Sequence, residues 1–494
     1  MNNKTAIIIG SGVAGMAAAI RLAVQGFSVK VYERNPKPGG KLTEFEKKGF
    51  HFDAGPSLFT QPQNIEELFE YAGEPIEKYF SYKRVDIACK YFFENGKTVQ
   101  AWTNTDEFAN ELNEQLNEAP YRTKRYLKKA ARLYHNVGTV FIDHSLQMKN
   151  TWLNKRILKA FSSVRYAYLF KSLHKYNQRS FTKPEAVQLF DRFATYNGSD
   201  PFRAPAMLSM IPHLEQNGGT FYPRGGMISI TNALYQLAKN KGVQFFFDTP
   251  VQRIIHHEGK IQGVVVNEEN VFANVVVSNV DAYFTFKRLL NDPSMVKKTI
   301  KGERSSSAVI FYWGIKKEFP DLQLHNIFFS TDYKNEFNNI FKSGSISSDP
   351  TVYINITSKA ENGKAPAGKE NWFVMINAPS DCGQNWDQLR TDLRQAVIAK
   401  MSRMLNTDIE SLIETEEFMD PLLIESQTGS FKGSLYGSSS NSKWAAFLRQ
   451  PNFLSTIKGL YFCGGTVHPG GGIPLCLKSA GIVGELISKD FKKL

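Results

Sequence analysis

The sequence predicts an α/β protein: a Rossmann-type nucleotide-binding domain interleaved along the chain with a mixed β-sheet domain and a helical, basic subdomain. Three observations carry that prediction. The first is the glycine turn Gly10-Ser11-Gly12-Val13-Ala14-Gly15, set between an apolar run and a helical pattern. The second is another glycine-rich segment near the far end, Phe462 to Pro474, which contains His468-Pro469-Gly470-Gly471-Gly472. The third is the stretch from Arg122 to Lys175, with thirteen Lys or Arg against one acid, Asp143.

Ala6-Ile7-Ile8-Ile9 reads as a buried parallel strand, and Met16 through Gln25 as a helix ending at Gly26 in the C′ position. Gly10 permits the tight turn, Gly12 lets a pyrophosphate approach the backbone, and Gly15 lets helix and strand pack closely. An anion there meets unpaired N–H groups and the positive end of the helix dipole. The next strand, 28–32, ends at Glu33, spaced for a carboxylate that accepts from ribose hydroxyls. A lone glycine turn also occurs as a packing device. Strand, helix and terminal acid together select the nucleotide reading.

Residues 34 to 57 lengthen the ligand. Arg34 leads into Pro38-Gly39-Gly40-Lys41-Leu42 and then Gly49-Phe50-His51-Phe52-Asp53-Ala54-Gly55-Pro56-Ser57. A nicotinamide enzyme has no need of a second glycine turn with a basic residue. FAD is longer and takes further donors along its pyrophosphate and ribityl portions, which makes Arg34, Gly40, Lys41, Gly55 and Pro56 contact candidates. At the other end, 460–463 reads as a buried strand followed by Gly464-Gly465 and a helix over roughly 475–489, whose N-terminal amides would face the same ligand.

On these residues, with Tyr222-Pro223-Arg224-Gly225-Gly226-Met227 and His325-Asn326-Ile327-Phe328-Phe329-Ser330, the chain resembles the bacterial phytoene desaturases and related carotenoid oxidoreductases, themselves similar in fold to the amine oxidases. The resemblance covers nearly the whole length, and its most specific part is the His-Pro-Gly-Gly-Gly-Ile-Pro run at 468–474. By general likeness the chain sits with desaturases of hydroxylated or cyclic carotenoids, such as the 1-hydroxycarotenoid 3,4-desaturases. The resemblance implies an FAD-dependent oxidoreductase that acts on CH–CH groups of a long isoprenoid in carotenoid biosynthesis. It implies that the backbone of Val251 meets the adenine and that Gly465 lies beside the pyrophosphate and ribityl chain. Gly472, Ile473 and Pro474 would lie beside the isoalloxazine. Many flavoproteins of this fold carry an acid after the glycine pair; Thr466 stands there instead, which leaves the grip on the ribityl hydroxyls open.

Desaturation needs hydride transfer from an allylic C–H to flavin N5 and loss of a neighbouring proton. The cofactor supplies the redox chemistry, while the protein orients substrate and excludes water. The expected catalytic set is therefore sparse. Asp143 and His468 are the candidates for proton acceptor, against competing readings as a salt-bridge partner and a turn residue. The nine His form no Ser-His-Asp or metal-ligand pattern, and no metal is expected. Oxygen or a quinone would take the electrons. Two other readings share the scaffold: a flavin-dependent polyene isomerase or saturase, and an isoprenoid-lipid escort protein that has lost its flavin. Intact Gly10, Gly12, Gly15, Glu33 and C-terminal glycines speak against the escort. The His-Pro-Gly run, in place of an aromatic cage, speaks against an amine oxidase.

With 494 residues, 42% of them apolar, the chain can build large cores, and its length suggests about three domains. The expected division is discontinuous. Residues 1–75, 222–285 and 425–494 form the FAD-binding domain, and 76–221 with 286–424 form the substrate-binding domain. In the returning piece a helix over 228–240 precedes a strand at 243–247 and a β-meander of 251–256, 260–267 and 271–278. Strands at 351–357 and 371–377 alternate, with one face packed and the other lining something, and the 37 Phe supply apolar material.

The basic part, about 122–175, holds nearly all of the formal net charge of +13 and is interleaved with Trp152, Leu153, Ile157, Leu158, Phe161 and Tyr168. Amphipathic helices of that kind suit an anionic lipid interface; a solvated basic face is the plainer alternative, and nucleic-acid binding is not expected of a flavin core. Cys89, Cys382, Cys463 and Cys476 form no CxxC pair, which suits a reducing cytosol. The first apolar run is already the nucleotide-binding strand, so no leader is expected, and no apolar run approaches the roughly 20 residues of a spanning helix. The expectation is a cytoplasmic protein held peripherally at the inner face of the cell membrane.

Overall fold

The computed structural model describes residues 4–145, 148, 166–442 and 449–491. The first glycine turn lies at the carboxyl edge of a five-stranded, all-parallel sheet in the order Leu460–Phe462, Val275–Ser278, Thr5–Ile9, Ser28–Tyr32, Gln244–Phe246. Such a sheet is stable only when both faces are covered. On one face Ala6, Ile8, Val29, Val31, Val275 and Val277 share a core with the helices Val13–Val24, Ile228–Asn240 and Ile473–Phe491. On the other, Ile7, Ile9, Val276 and Phe462 pack under the antiparallel meander Val251–His257, Lys260–Val266, Glu269–Phe272.

One strand expectation is corrected here. The run 271–278 is not a single strand: Glu269–Phe272 closes the meander, the chain turns at Ala273–Asn274, and Val275–Ser278 enters the parallel sheet. Asn274 makes the switch, since its Oδ1 accepts from the Thr5 amide at 2.9 Å and the Thr5 hydroxyl at 3.0 Å.

The second layer is a seven-stranded sheet in the order Ile413–Met419, Ser307–Ile315, Glu370–Ala378, Val352–Ile356, His325–Phe328, Ile87–Phe92, Thr98–Trp102. Only the pairing of Ile87–Phe92 with His325–Phe328 is parallel. Side chains alternate across its faces. Val309, Phe311, Trp313, Val352, Ile354, Trp372 and Val374 form one core with the helix Trp386–Met404. Their in-between neighbours Ile310, Tyr312, Tyr353, Phe373 and Met375 face a cavity. The alternation expected of the strands near 351–357 and 371–377 is thus present, and both faces are apolar because both are covered.

Helices fill most of 105–217. Pro120–Leu133 buries Thr123, Tyr126, Leu127, Ala130 and Leu133 and leaves Lys124, Arg125, Lys128 and Arg132 exposed. The remainder of the basic stretch at 146–147 and 149–165, with Lys149, Lys155, Arg156, Lys159 and Arg165, lies outside the described residues. No described helix is long and apolar enough to cross a membrane.

Candidate active site

Helix Val13–Val24 begins at Gly12 with no side-chain cap, so its first amides are available to an anion. The glycines around it are required by close backbone approach. A Cβ on Gly15 would fall 2.2 Å from the Gly10 carbonyl oxygen, and one on Gly55 would fall 1.9 Å from that of Lys41. The second turn docks on the first: the Gly39 amide donates to the Ser11 carbonyl at 3.0 Å, and a Cβ on Gly40 would stand 3.3 Å from Gly12 Cα.

Asn279, at the end of strand Val275–Ser278, joins the two distant glycine segments. Its Nδ2 donates to the Cys463 carbonyl at 3.0 Å. Its Oδ1 lies 2.8 Å from the place of a Gly12 Cβ and 2.9 Å from that of Gly15. Sequence reasoning missed this residue. The signal was an Asn immediately after a fully buried Val-Val-Val-Ser strand, at the edge where parallel sheets bind ligands.

Glu33 is buried, and its carboxylate is fixed by the protein itself. Oε2 accepts from the Ser11 amide at 2.8 Å and hydroxyl at 2.9 Å, and Oε1 accepts from the Asn35 amide at 2.9 Å. A carboxylate has about four lone-pair positions, so roughly one remains for a ligand hydroxyl. Arg34 donates to the Ser426 and Gln427 carbonyls, each at 2.9 Å, and with Val251 borders the cavity beside Glu33. Lys41 Nζ donates to the Leu435 carbonyl at 2.9 Å, and burial pushes its ammonium below the usual value, with Asp281 working against that.

These groups line one cavity of about 740 Å³. It runs past Gly10, Gly12, Gly40, Lys41, Gly55, Pro56, Gly465, Gly472, Ile473 and Pro474 and continues over the inner face of the seven-stranded sheet. Gly15 lies behind the turn and takes no part in the lining. Gly464 and Gly472 have φ of +118° and +105°, which turn the chain around the cavity's edge. Thr466, standing where an acid is common, accepts the Ala282 amide at 3.1 Å on Oγ1. The carboxylate that borders the cavity nearby is Asp281, which sequence reasoning also missed.

Of the two proton-acceptor candidates, Asp143 does not line the cavity; its carboxylate is 3.3 Å from Lys478 and its side chain is 39% exposed. His468 does line it, but Nε2 is 2.8 Å from the His144 carbonyl and burial lowers its pKa to about 4. It is a neutral ring held at the base of the last glycine run. Beside it, burial lowers the Arg449 guanidinium to about 10; it donates to the Tyr436 carbonyl at 2.7 Å.

At the sheet end of the cavity stands a buried polar group without precedent in the sequence reading. Arg192 donates through Nε to Tyr91 at 2.6 Å and through Nη2 to both oxygens of Glu215 at 2.6 and 2.9 Å, and Tyr196 donates to the same carboxylate. Next to it, His325 Nδ1 is 2.8 Å from the Tyr353 hydroxyl, which is 2.8 Å from Ser57 Oγ. Burial, with Arg192 adding, lowers His325 to about 3.

The sequence pattern of the flavin containing amine oxidoreductases matches residues 13–484. The chain belongs to that family. It is an FAD-dependent oxidoreductase. It is 47% identical over 484 residues to a 1-hydroxycarotenoid 3,4-desaturase of Flavobacterium sp. (strain P99-3), covering 98% of this chain and 99% of the relative. Identity to a 4,4'-diapolycopene oxygenase of Methylomonas sp. is 32%, over 99% of each chain. Among solved structures, an oxidoreductase from Methanosarcina mazei superposes with a TM-score of 0.66 at 15% identity, over 98% of this chain and 100% of that one.

The cavity of this flavin amine oxidoreductase fits its family's cofactor on geometric grounds. An uncapped helix N-terminus faces it, the Gly40 backbone is pressed against Gly12, and a Cβ on Gly472 would meet nothing within 4 Å. That is a backbone cradle for a long anionic ligand, with open space beside Gly472.

Proposed function

We propose that this oxidoreductase is a carotenoid desaturase that introduces the 3,4 double bond into a 1-hydroxycarotenoid or a closely similar polyene. The observation that carries this reading is the continuity of one cavity from the glycine cradle to a chamber walled by Ile310, Tyr312, Ile327, Tyr353, Phe373 and Met375. The name of the 47% identical relative supports it. FAD, when bound, supplies the hydride acceptor.

The chain's own residues hold and shield. Gly10, Gly12, Gly40 and the first amides of helix Val13–Val24 would take the pyrophosphate, with Arg34 and Lys41 as flanking cations, while Gly15 lets helix and turn pack closely behind it. Glu33 takes the ribose, and the Val251 backbone takes the adenine. Gly55, Pro56 and Gly465 line the ribityl chain, while Gly472, Ile473 and Pro474 border the ring. Among the described residues the chamber's carboxylate Glu215 is already paired with Arg192 and Tyr196. Residues 1–75, 222–285 and 425–494 serve the cofactor, and 76–221 with 286–424 serve the polyene.

The substrate is a membrane solute, and the basic face of Pro120–Leu133 would rest on anionic lipid at the inner face of the membrane. A separate groove lined by Phe170, Lys171, Lys175 and Arg179 is also basic, and Tyr121 and Phe170 are exposed. Anaerobic mixing of the flavoenzyme with a 1-hydroxycarotenoid tests the reaction class. A desaturase bleaches one flavin for each double bond formed while the product's absorption moves to longer wavelength. Product formation with the flavin still oxidised would make the protein an isomerase.

A further inference from the structure

We infer that His325 selects hydroxylated substrates by donating a hydrogen bond from Nε2 to the oxygen on carbon 1. The inference rests on the desaturase reading and adds the group that reads the hydroxyl. His325 is 2% exposed and borders the cavity, and its Nε2 has no hydrogen-bond partner among the described residues. The proton's place follows from the other nitrogen. Asn355 Nδ2, 3.1 Å from Nδ1, has only hydrogens to offer, so Nδ1 accepts and Nε2 carries the N–H. Asn355 Nδ2 is itself oriented by the Leu324 carbonyl at 3.0 Å. The ring is thereby held as a neutral donor bordering the cavity.

Position agrees with chemistry. Carbon 1 is two bonds from carbon 3, so a hydroxyl on it must be bound beside the reacting carbons, next to the cofactor. The chain His325 Nδ1–Tyr353 hydroxyl–Ser57 Oγ, with both links at 2.8 Å, ties the ring to the residue that directly follows Gly55-Pro56 of the cofactor cradle. Ile327, two residues along the strand, and its cross-strand partner Tyr353 border the same cavity, and the Arg192–Glu215 pair is already satisfied. A polyene with hydrogen in place of the hydroxyl would leave Nε2–H without an acceptor.

The test compares kcat/KM of the flavoenzyme on two polyenes of equal length, one with and one without the 1-hydroxyl, presented in the same vesicles. The wild type should favour the hydroxylated one by about 10- to 100-fold, the range a single unmet buried donor commands. In His325→Phe that ratio should collapse toward one, and in His325→Gln, which keeps an N–H donor, part of it should return. If His325→Phe fails to load flavin, His325→Met carries the same comparison. A wild type indifferent to the hydroxyl, or variants that keep the wild-type ratio, overturns the inference and leaves the desaturase reading standing. A wild type that oxidises neither polyene removes both.

Discussion

Asn279→Ala should weaken FAD binding about tenfold, because this one side chain holds the two glycine segments in register. Its Nδ2 bond to the Cys463 carbonyl at 3.0 Å is the cross-link, and its Oδ1 packs against Gly12 and Gly15. A hydrogen bond of this kind contributes about 0.5–1.5 kcal/mol net, and 1.4 kcal/mol is a factor of ten in Kd. The loss falls on the holo geometry, since the segments that part are those facing the cofactor from either side. Asn279→Asp should cost more than Ala. It sets two acceptors against each other across the same 3.0 Å and brings an anion to the helix N-terminus where the pyrophosphate binds. Titration of deflavinated protein with FAD, followed by quenching of flavin fluorescence, gives Kd for the three proteins. An Ala variant that binds as tightly as wild type, or an Asp variant that binds more tightly than Ala, refutes the reasoning.

Two further outcomes follow from burial and charge. Burial raises Asp53 from 3.8 to about 6; Oδ1 accepts from the Met227 amide at 3.0 Å, while Oδ2 has no partner among the described residues. Below pH 4 both folded and unfolded chains hold the proton. Between about 4 and 6 only the folded one does, so stability falls as pH rises, by up to about 3 kcal/mol. Asp53→Asn should therefore raise Tm at pH 8 and leave it near wild type at pH 4; equal shifts at both would sink the assignment. Reversing Lys124, Lys128 and Arg132 to Glu should abolish sedimentation with anionic vesicles and its salt dependence; unchanged binding would make that face merely solvated.

The cofactor half was legible because its signals are local. The strand–turn–helix around Gly10–Gly15, the helix at 228–240 and the C′ glycine at Gly26, with φ of +84°, are each written in a few consecutive residues. The error at 271–278 was legible too. The pattern changes there from mostly exposed Glu-Asn-Val-Phe to fully buried Val-Val-Val-Ser, the mark of passing from an outer meander strand to a sheet covered on both faces. Asn279 could not be assigned a partner, because its bond reaches 184 residues along the chain.

The chamber was illegible for the same reason taken further: its chemistry depends on strand order. His325 meets Asn355 and Ile327 meets Tyr353 only through the antiparallel register of these two strands, and Tyr353 in turn faces Met375. The parallel pairing with Ile87–Phe92 then brings Ala88 and Cys89 to the same cavity. A slip of one residue in this sheet would turn Tyr312, Tyr353 and Phe373 to the side of helix Trp386–Met404 and send Phe311, Ile354 and Trp372 into the cavity. The glycine cradle shares no strand with that sheet, so flavin binding would outlast such a slip. Cofactor and substrate recognition are therefore separable by mutation, and a yellow but inactive variant is the form that damage to the seven-stranded sheet takes.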